Sequence, residues 1–175
     1  SDLATNLADV SLSGATQLKN ALPTITNSVQ VTLQSLKTVA DSTSSIVSTI
    51  KQAVVDGELT PDEKAQINQL IQAAQANIAT QQTAIKNLVD LMKQVETNAG
   101  NHDLDPAITR LEGLSTVLGQ ASEKLGQVNG FIQSGDIAQV EAVLDEINIL
   151  SQNISALINQ IDVSAISTSV GNVLD

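Results

Sequence analysis

The chain has no cysteine, no tryptophan and no tyrosine, and its only aromatic residue is Phe131. Without cysteine there is no disulfide framework and no thiolate chemistry. A thiol-free chain suits either redox compartment, so nothing follows about location. Large ligand pockets and protein–protein hot spots draw heavily on aromatic side chains. This chain does without them. Basic residues are scarce too: 8 Lys and Arg stand against 19 Asp and Glu, for a formal net charge of -11. That balance leaves no footprint for phosphate backbones, so nucleic acid is not an expected partner. Anionic membrane surfaces are not expected partners either, on the same ground. No apolar run reaches the roughly 18 residues needed to span a bilayer. Residue 1 is Ser. The expectation is a processed product or an excised fragment, with any signal or anchor removed.

Amide and hydroxyl side chains take the place of charge. Ser, Thr, Asn and Gln make up 62 of the 175 residues. Such a polar but weakly charged surface is a compositional hint of a bacterial exported protein. The acid is unevenly placed. Residues 1–55 balance Asp2, Asp9 and Asp41 against Lys19, Lys37 and Lys51, so the rest of the chain carries the excess.

The strongest local pattern runs from Thr60 to Val95. Thr60-Pro61-Asp62-Glu63 reads as a capping box with proline at the first helical position. Apolar residues then recur at Ile67, Ile71, Ala74, Ile78, Ile85, Leu88, Met92 and Val95, with Gln81 the one polar residue in the seam. Steps of four and three give a long amphipathic helix with a coiled-coil-like period. Only other helices can cover that stripe.

The chain supplies them. Leu3, Leu7, Val10, Leu18 and Leu22 predict a helix over 3–22, followed by a kink or break at Pro23. Ile25, Val29, Leu33, Leu36, Ala40, Val47, Ile50 and Val54 predict a helix over 24–55 that survives the weak Asp41–Ser45 stretch and ends at Gly57 as a left-handed cap. After a stop at Ala99-Gly100-Asn101, Asp105 caps a third helix with Pro106 at its first position. Its seam is Leu104, Ala107, Leu111, Leu114, Leu118, Ala121, Leu125, Val128 and Ile132. Ser134-Gly135 closes it, and Asp136 opens a fourth helix over 137–161. The stripe there is wider: Ile137, Val140, Val143, Leu144, Ile147, Leu150, Ile154, Leu157, Ile158 and Ile161. Val163, Ile166, Val170 and Leu174 continue it or form a short separate turn. The links are short, which forces antiparallel neighbours. The predicted fold is a single all-α domain over 1–175, an elongated up-down bundle of four long helices with the first kinked or broken at Pro23.

Sites for chemistry are few. Asp56–Glu63 resembles the second half of an EF-hand loop, but aligning Gly57 with its glycine puts Gln52 and Val54 where carboxylates belong. It reads as a stop, a turn and a cap. His102, the only histidine, stands beside Asp103 and Asp105, too few ligands for a metal. It reads as a solvated loop residue. No Glu-x-x-His motif exists to build a di-iron bundle. Asp62-Glu63 and Asp145-Glu146 are adjacent in sequence and point to different helix faces, as surface and cap residues do. Asn153-Ile154-Ser155 matches a glycosylation sequon usable only on a eukaryotic secretory route. Gly113, Gly119, Gly126 and Gly130 lie inside the third helix. Gly119 and Gly126, seven apart, each follow a seam leucine and predict close backbone approach by a neighbouring helix; the competing reading is a soft helix that moves. No catalytic, cofactor or metal residue is assigned.

Leu111-Glu112-Gly113-Leu114, Leu118-Gly119 and Leu125-Gly126 resemble the Leu/Gly heptad-like pattern in the extracellular helical region of the phage infection protein (Pip/YhgE) family. The match covers about residues 111–126 and carries no catalytic residues. The resemblance implies a long helical domain outside a bacterial cell, between membrane segments. The expected function is therefore non-enzymatic: an extracytoplasmic bundle of a bacterial surface or membrane protein, serving as spacer, scaffold or phage or partner contact surface, on the extracellular face of the membrane and tethered through flanking segments. The alternatives are a ligand-sensing bundle like a chemoreceptor outer domain, and a self-assembling phage or secretion-system protein. A protein partner or self-association fits all three.

Overall fold

The computed structural model describes residues 15–55, 57–100, 102–161 and 166. Four α-helices follow one another: α1 Ala15–Ala53, α2 Pro61–Ala99, α3 Asp105–Ser134 and α4 Ile137–Gln160. No strand occurs among the described residues. The helix expected to begin at Leu3 lies outside them up to residue 14. So does the segment after Ile161, apart from Ile166, whose side chain is buried.

α1 runs through Pro23 without interruption. Proline removes one backbone donor and crowds the carbonyl four residues back, at Lys19. The apolar spacing of Leu18, Leu22, Ile25 and Val29 continues across it, and continuity of the seam outweighs the local penalty. The hydroxyl-rich Asp41–Ser45 stretch is helical as expected. Thr43 is fully buried, and its Oγ1 donates to the Val39 carbonyl at 2.8 Å. The hydroxyl that competes with a helix elsewhere here bonds back into it.

The helix ends follow their sequence signals. Glu63 N–H donates to Thr60 Oγ1 at 3.1 Å, and Thr60 N–H to Glu63 Oε1 at 2.9 Å, closing the capping box. Gly57, Gly100 and Gly135 all have φ near +80°, between 74° and 81°. Only glycine takes that left-handed conformation without steric cost. One cap differs from expectation. Leu104 is the N-cap of α3, and Asp105 is its first helical residue, with no side-chain cap bond. Asp136 holds the N-cap position of α4, also without a side-chain bond.

Each helix packs on two others: α1 on α2 and α4, α3 on α2 and α4. The four seams face a common core, and every seam residue of α3 named above is buried. Two interfaces show their direction through side-chain bonds. Between α2 and α3, Gln133 Nε2 donates to the Lys64 carbonyl, Asn129 Nδ2 to Asn68 Oδ1, Gln75 Nε2 to the Ser122 carbonyl and Gln82 Nε2 to the Ser115 carbonyl, at 2.8–3.0 Å. Numbers rise on α2 as they fall on α3, so the two helices are antiparallel in one register. Between α1 and α4, Ser151 Oγ donates to the Ala40 carbonyl at 2.9 Å, and Lys51 pairs with Asp145 at 3.4 Å, again in opposite senses. At about 1.5 Å per residue, the 39-residue helices α1 and α2 are each about 58 Å long.

The α2–α3 bonds explain the heptad glycines. A Cβ on Gly119 would stand 3.1 Å from Gln82 Nε2, and one on Gly126 would stand 3.2 Å from Gln75 Nε2. What approaches is a side-chain amide, not a neighbouring backbone, which corrects the expectation. The missing Cβ lets each glutamine reach the carbonyl one helical turn before the glycine. Gly113 and Gly130 have open space where a Cβ would go.

Two outcomes follow for stability. Gly113→Ala removes only a propensity penalty and should stabilise by about 0.5–1 kcal/mol. Gly119→Ala gains the same term but displaces the Gln82 amide from a bond of about 0.5–1.5 kcal/mol, so its net effect should lie near zero. In a Gln82→Ala background Gly119→Ala should recover the full gain. Chemical denaturation of the four variants measures the coupling; strictly additive effects would refute it. Separately, Thr32 Oγ1 is buried without a hydrogen-bond partner. Thr32→Val should raise stability by about 1 kcal/mol by removing an unpaired hydroxyl, and a lower melting temperature would count against this reading.

Candidate functional site

The residues that converge most closely lie at the α2–α3 turn. Gly100 reverses the chain, and its N–H donates to the Glu96 carbonyl at 2.8 Å. The Glu96 side chain points the same way. Its Oε2 accepts the Leu104 N–H at 2.9 Å. One residue thus closes the end of α2 with its main chain and the start of α3 with its side chain. Glu96 takes the donor that a glutamate at the third helical position takes in a capping box.

Asp105 turns instead towards Glu96 and His102. His102 Nδ1 lies 3.4 Å from Asp105 Oδ2, and one donor atom from each of Glu96, His102 and Asp105 lies within 4.8 Å of the other two. Glu96 is 6 % exposed, whereas the side chains of His102 and Asp105 are 84 % and 56 % exposed. His102 is a solvated loop residue, as expected from the sequence. The structure adds a third ligand type beside it that sequence proximity did not suggest. Glu96 directly follows the last seam residue of α2, Val95, and as an acid outside that seam reads as an exposed flank, yet it lies one heptad after the buried Val89 and is buried too.

Burial is the main reason the Glu96 carboxyl is held above its usual range. The hydrogen bond and like charge of Asp105 add to the rise. The Leu104 N–H and the His102 ring pull the other way. Desolvation of an ionised carboxylate outweighs one backbone donor here.

The other sequence candidates are dispersed. The Asp145 carboxylate faces α1, where it meets Lys51, while Glu146 faces α3, where it meets Lys124 at 2.6 Å. They sit on different faces, as adjacent helix residues must. Asp62 and Glu63 occupy the first turn of α2, and Glu63 closes the cap. The EF-hand-like stretch is a helix end, a glycine turn and that cap: Gln52 lies within α1 and Val54 just beyond it. Asn153 is exposed on α4.

An open groove of about 890 Å³ runs along α2 and α3. Gln82, Lys86, Asp90, Lys93, Glu112 and Gly119 contribute to its lining. Lys93 and Glu112 pair across it at 3.5 Å. No protein family, curated protein or solved structure matches the chain.

The Glu96 environment fixes a pH dependence. A folded-state pKa above the ordinary 4.5 contributes stability that is complete below 4.5 and is lost as pH rises through the raised value. Glu96→Gln mimics the protonated acid. In chelator-containing buffer it should melt above the wild type at pH 7, with the gap closing towards pH 4. A gap that widens on acidification would reverse the sign and refute the assignment.

Proposed function

We propose that this chain is a non-enzymatic extracytoplasmic helical-bundle domain of a bacterial surface or membrane protein, acting as a spacer, scaffold or contact surface for a phage or another protein. The observation that carries the reading is the pairing of a long aliphatic core with a surface of amides and hydroxyls. The core is lined from Ile25 to Ile161 by Ile, Leu and Val. The exposed large hydrophobics among the described residues are Val31, Val55, Leu70 and Ile149, apart in sequence. Single exposed apolar residues are normal for a soluble face. Such a molecule offers length and a hydrated surface rather than a desolvated cleft.

The direction of the helices fits a domain held at one end. α1 begins and α4 finishes at the same end of the bundle, since the two run in opposite senses. A segment inserted between two membrane helices needs that geometry. No described helix is long and apolar enough to cross a membrane. The tether would come from flanking segments, which makes the likeness to the phage infection protein pattern at Leu111–Gly126 relevant to location.

The polar groove between α2 and α3 favours one second reading, a ligand-sensing bundle. Its lining mixes Lys86 and Lys93 with Asp90 and Glu112, groups suited to a small zwitterion.

Size-exclusion chromatography with light scattering, joined to small-angle X-ray scattering, separates these ideas. A spacer should be a monomer with a largest dimension of about 60 Å or more, set by helix length. Concentration-dependent polymers would move the assignment to a self-assembling protein. A saturable thermal shift with free amino acids would move it to the ligand-sensing bundle.

A further inference from the structure

We propose that His102, Glu96 and Asp105 form a binding site for a divalent transition-metal ion, zinc being the type ion, which clamps the α2–α3 turn.

Three observations carry it. The donor set is mixed, one imidazole nitrogen and two carboxylates, drawn from two helices and the loop between them. A cluster of surface acids would lack both the imidazole and the convergence from separate elements. Next, the spacing fits. Ligands at 2.0–2.2 Å from a tetrahedral zinc ion stand about 3.3–3.6 Å from one another. His102 and Asp105 already stand at 3.4 Å, and all three donors lie within 4.8 Å. Closing all three donors on a common ion takes shifts of up to about 1 Å, within the freedom of the exposed side chains of His102 and Asp105. Last, the buried member is held in place. Glu96 is anchored by the Leu104 N–H, the kind of outer contact that orients a metal-binding carboxylate.

The class of ion follows from the ligands. Imidazole with carboxylates suits zinc, cobalt and nickel, whereas calcium and magnesium prefer oxygen alone. Three protein ligands leave a fourth position open to water on the solvent side, where His102 and Asp105 are exposed. The sequence pattern hides the site, because Glu96 lies six residues before His102 on another helix.

The test uses the full chain after treatment with chelator. Zinc is titrated by calorimetry, cobalt by visible absorption, and melting is followed in zinc, in calcium and without metal. The expected result is one zinc per chain, a cobalt d–d band and a raised melting temperature in zinc but not in calcium. His102→Ala removes an exposed side chain and should fold normally, as circular dichroism verifies. It should weaken zinc binding by about tenfold or more, the loss expected for a disturbed metal site, and abolish the cobalt band. Glu96→Gln should weaken zinc as well while keeping the neutral bond to Leu104. No saturable binding by the wild type, unchanged binding by His102→Ala, or an equal response to calcium would each overturn the proposal.

Discussion

A helix with apolar residues at steps of four and three cannot bury them alone, and that constraint governs the whole molecule. The seam of α2 needs partners along its full length. Short links return the chain beside itself, so the partners are the preceding and following helices. The core they form is aliphatic: α3 contributes Leu111, Leu114, Leu118, Leu125, Val128 and Ile132, all at 0 % exposure. Branched chains in few rotamers fill a narrow four-helix interior well, and a bulky ring would force the helices apart. Phe131, the one aromatic residue, is only partly buried at the edge of that core.

Apolar burial sets how much surface is hidden but is weakly specific for register, since a slide of seven residues restores the pattern. The polar contacts supply the specificity. The ion pairs are exposed, and exposed pairs contribute about 0–1 kcal/mol. The amide bonds are half-buried and aimed at particular carbonyls. Gln75 and Gln82 each require a glycine beneath them, at Gly126 and Gly119. A slip of one heptad on α3 would bring Gln82 over Glu112 in place of Gly119, where a side chain blocks the approach. Register is therefore set by the pairing of two amides with two missing Cβ atoms.

This division also explains what the sequence can reveal. Periodicity and caps are local, so the four helices, the capping box at Thr60–Glu63 and the left-handed glycines at 57, 100 and 135 are legible in the residues themselves. The heptad spacing of Gly119 and Gly126 is legible too, but its partner is not, because nothing in a glycine tells an approaching backbone from an approaching amide. Asp105 next to Pro106 carries the signature of a cap and is instead the first helical residue. Its carboxylate lies instead with His102 and Glu96. Burial of Glu96 itself is not read from the pattern, since an acid beside the seam looks like a solvated flank, and its partner Leu104 lies beyond the turn.

Glu96 is where the two levels of organisation meet. A carboxylate at the start of a helix normally gains from the partial positive charge there, a contribution of about 0.3–1 kcal/mol. Here it accepts the Leu104 N–H at that end of α3, yet its carboxyl is held above the usual range. Burial therefore outweighs the helix end, and the neighbouring Asp105 works in the same direction. A local Glu or Gln at position 107, the third residue of α3, could meet the Leu104 N–H as Glu63 meets that of Thr60, without a buried acid from α2. Keeping an acid there, with a second acid and the only histidine beside it, gathers three ionisable groups at one point of the surface. A change of charge at that point acts on both helix ends at once, because Glu96 contacts the end of α2 through its carbonyl and the start of α3 through its carboxylate.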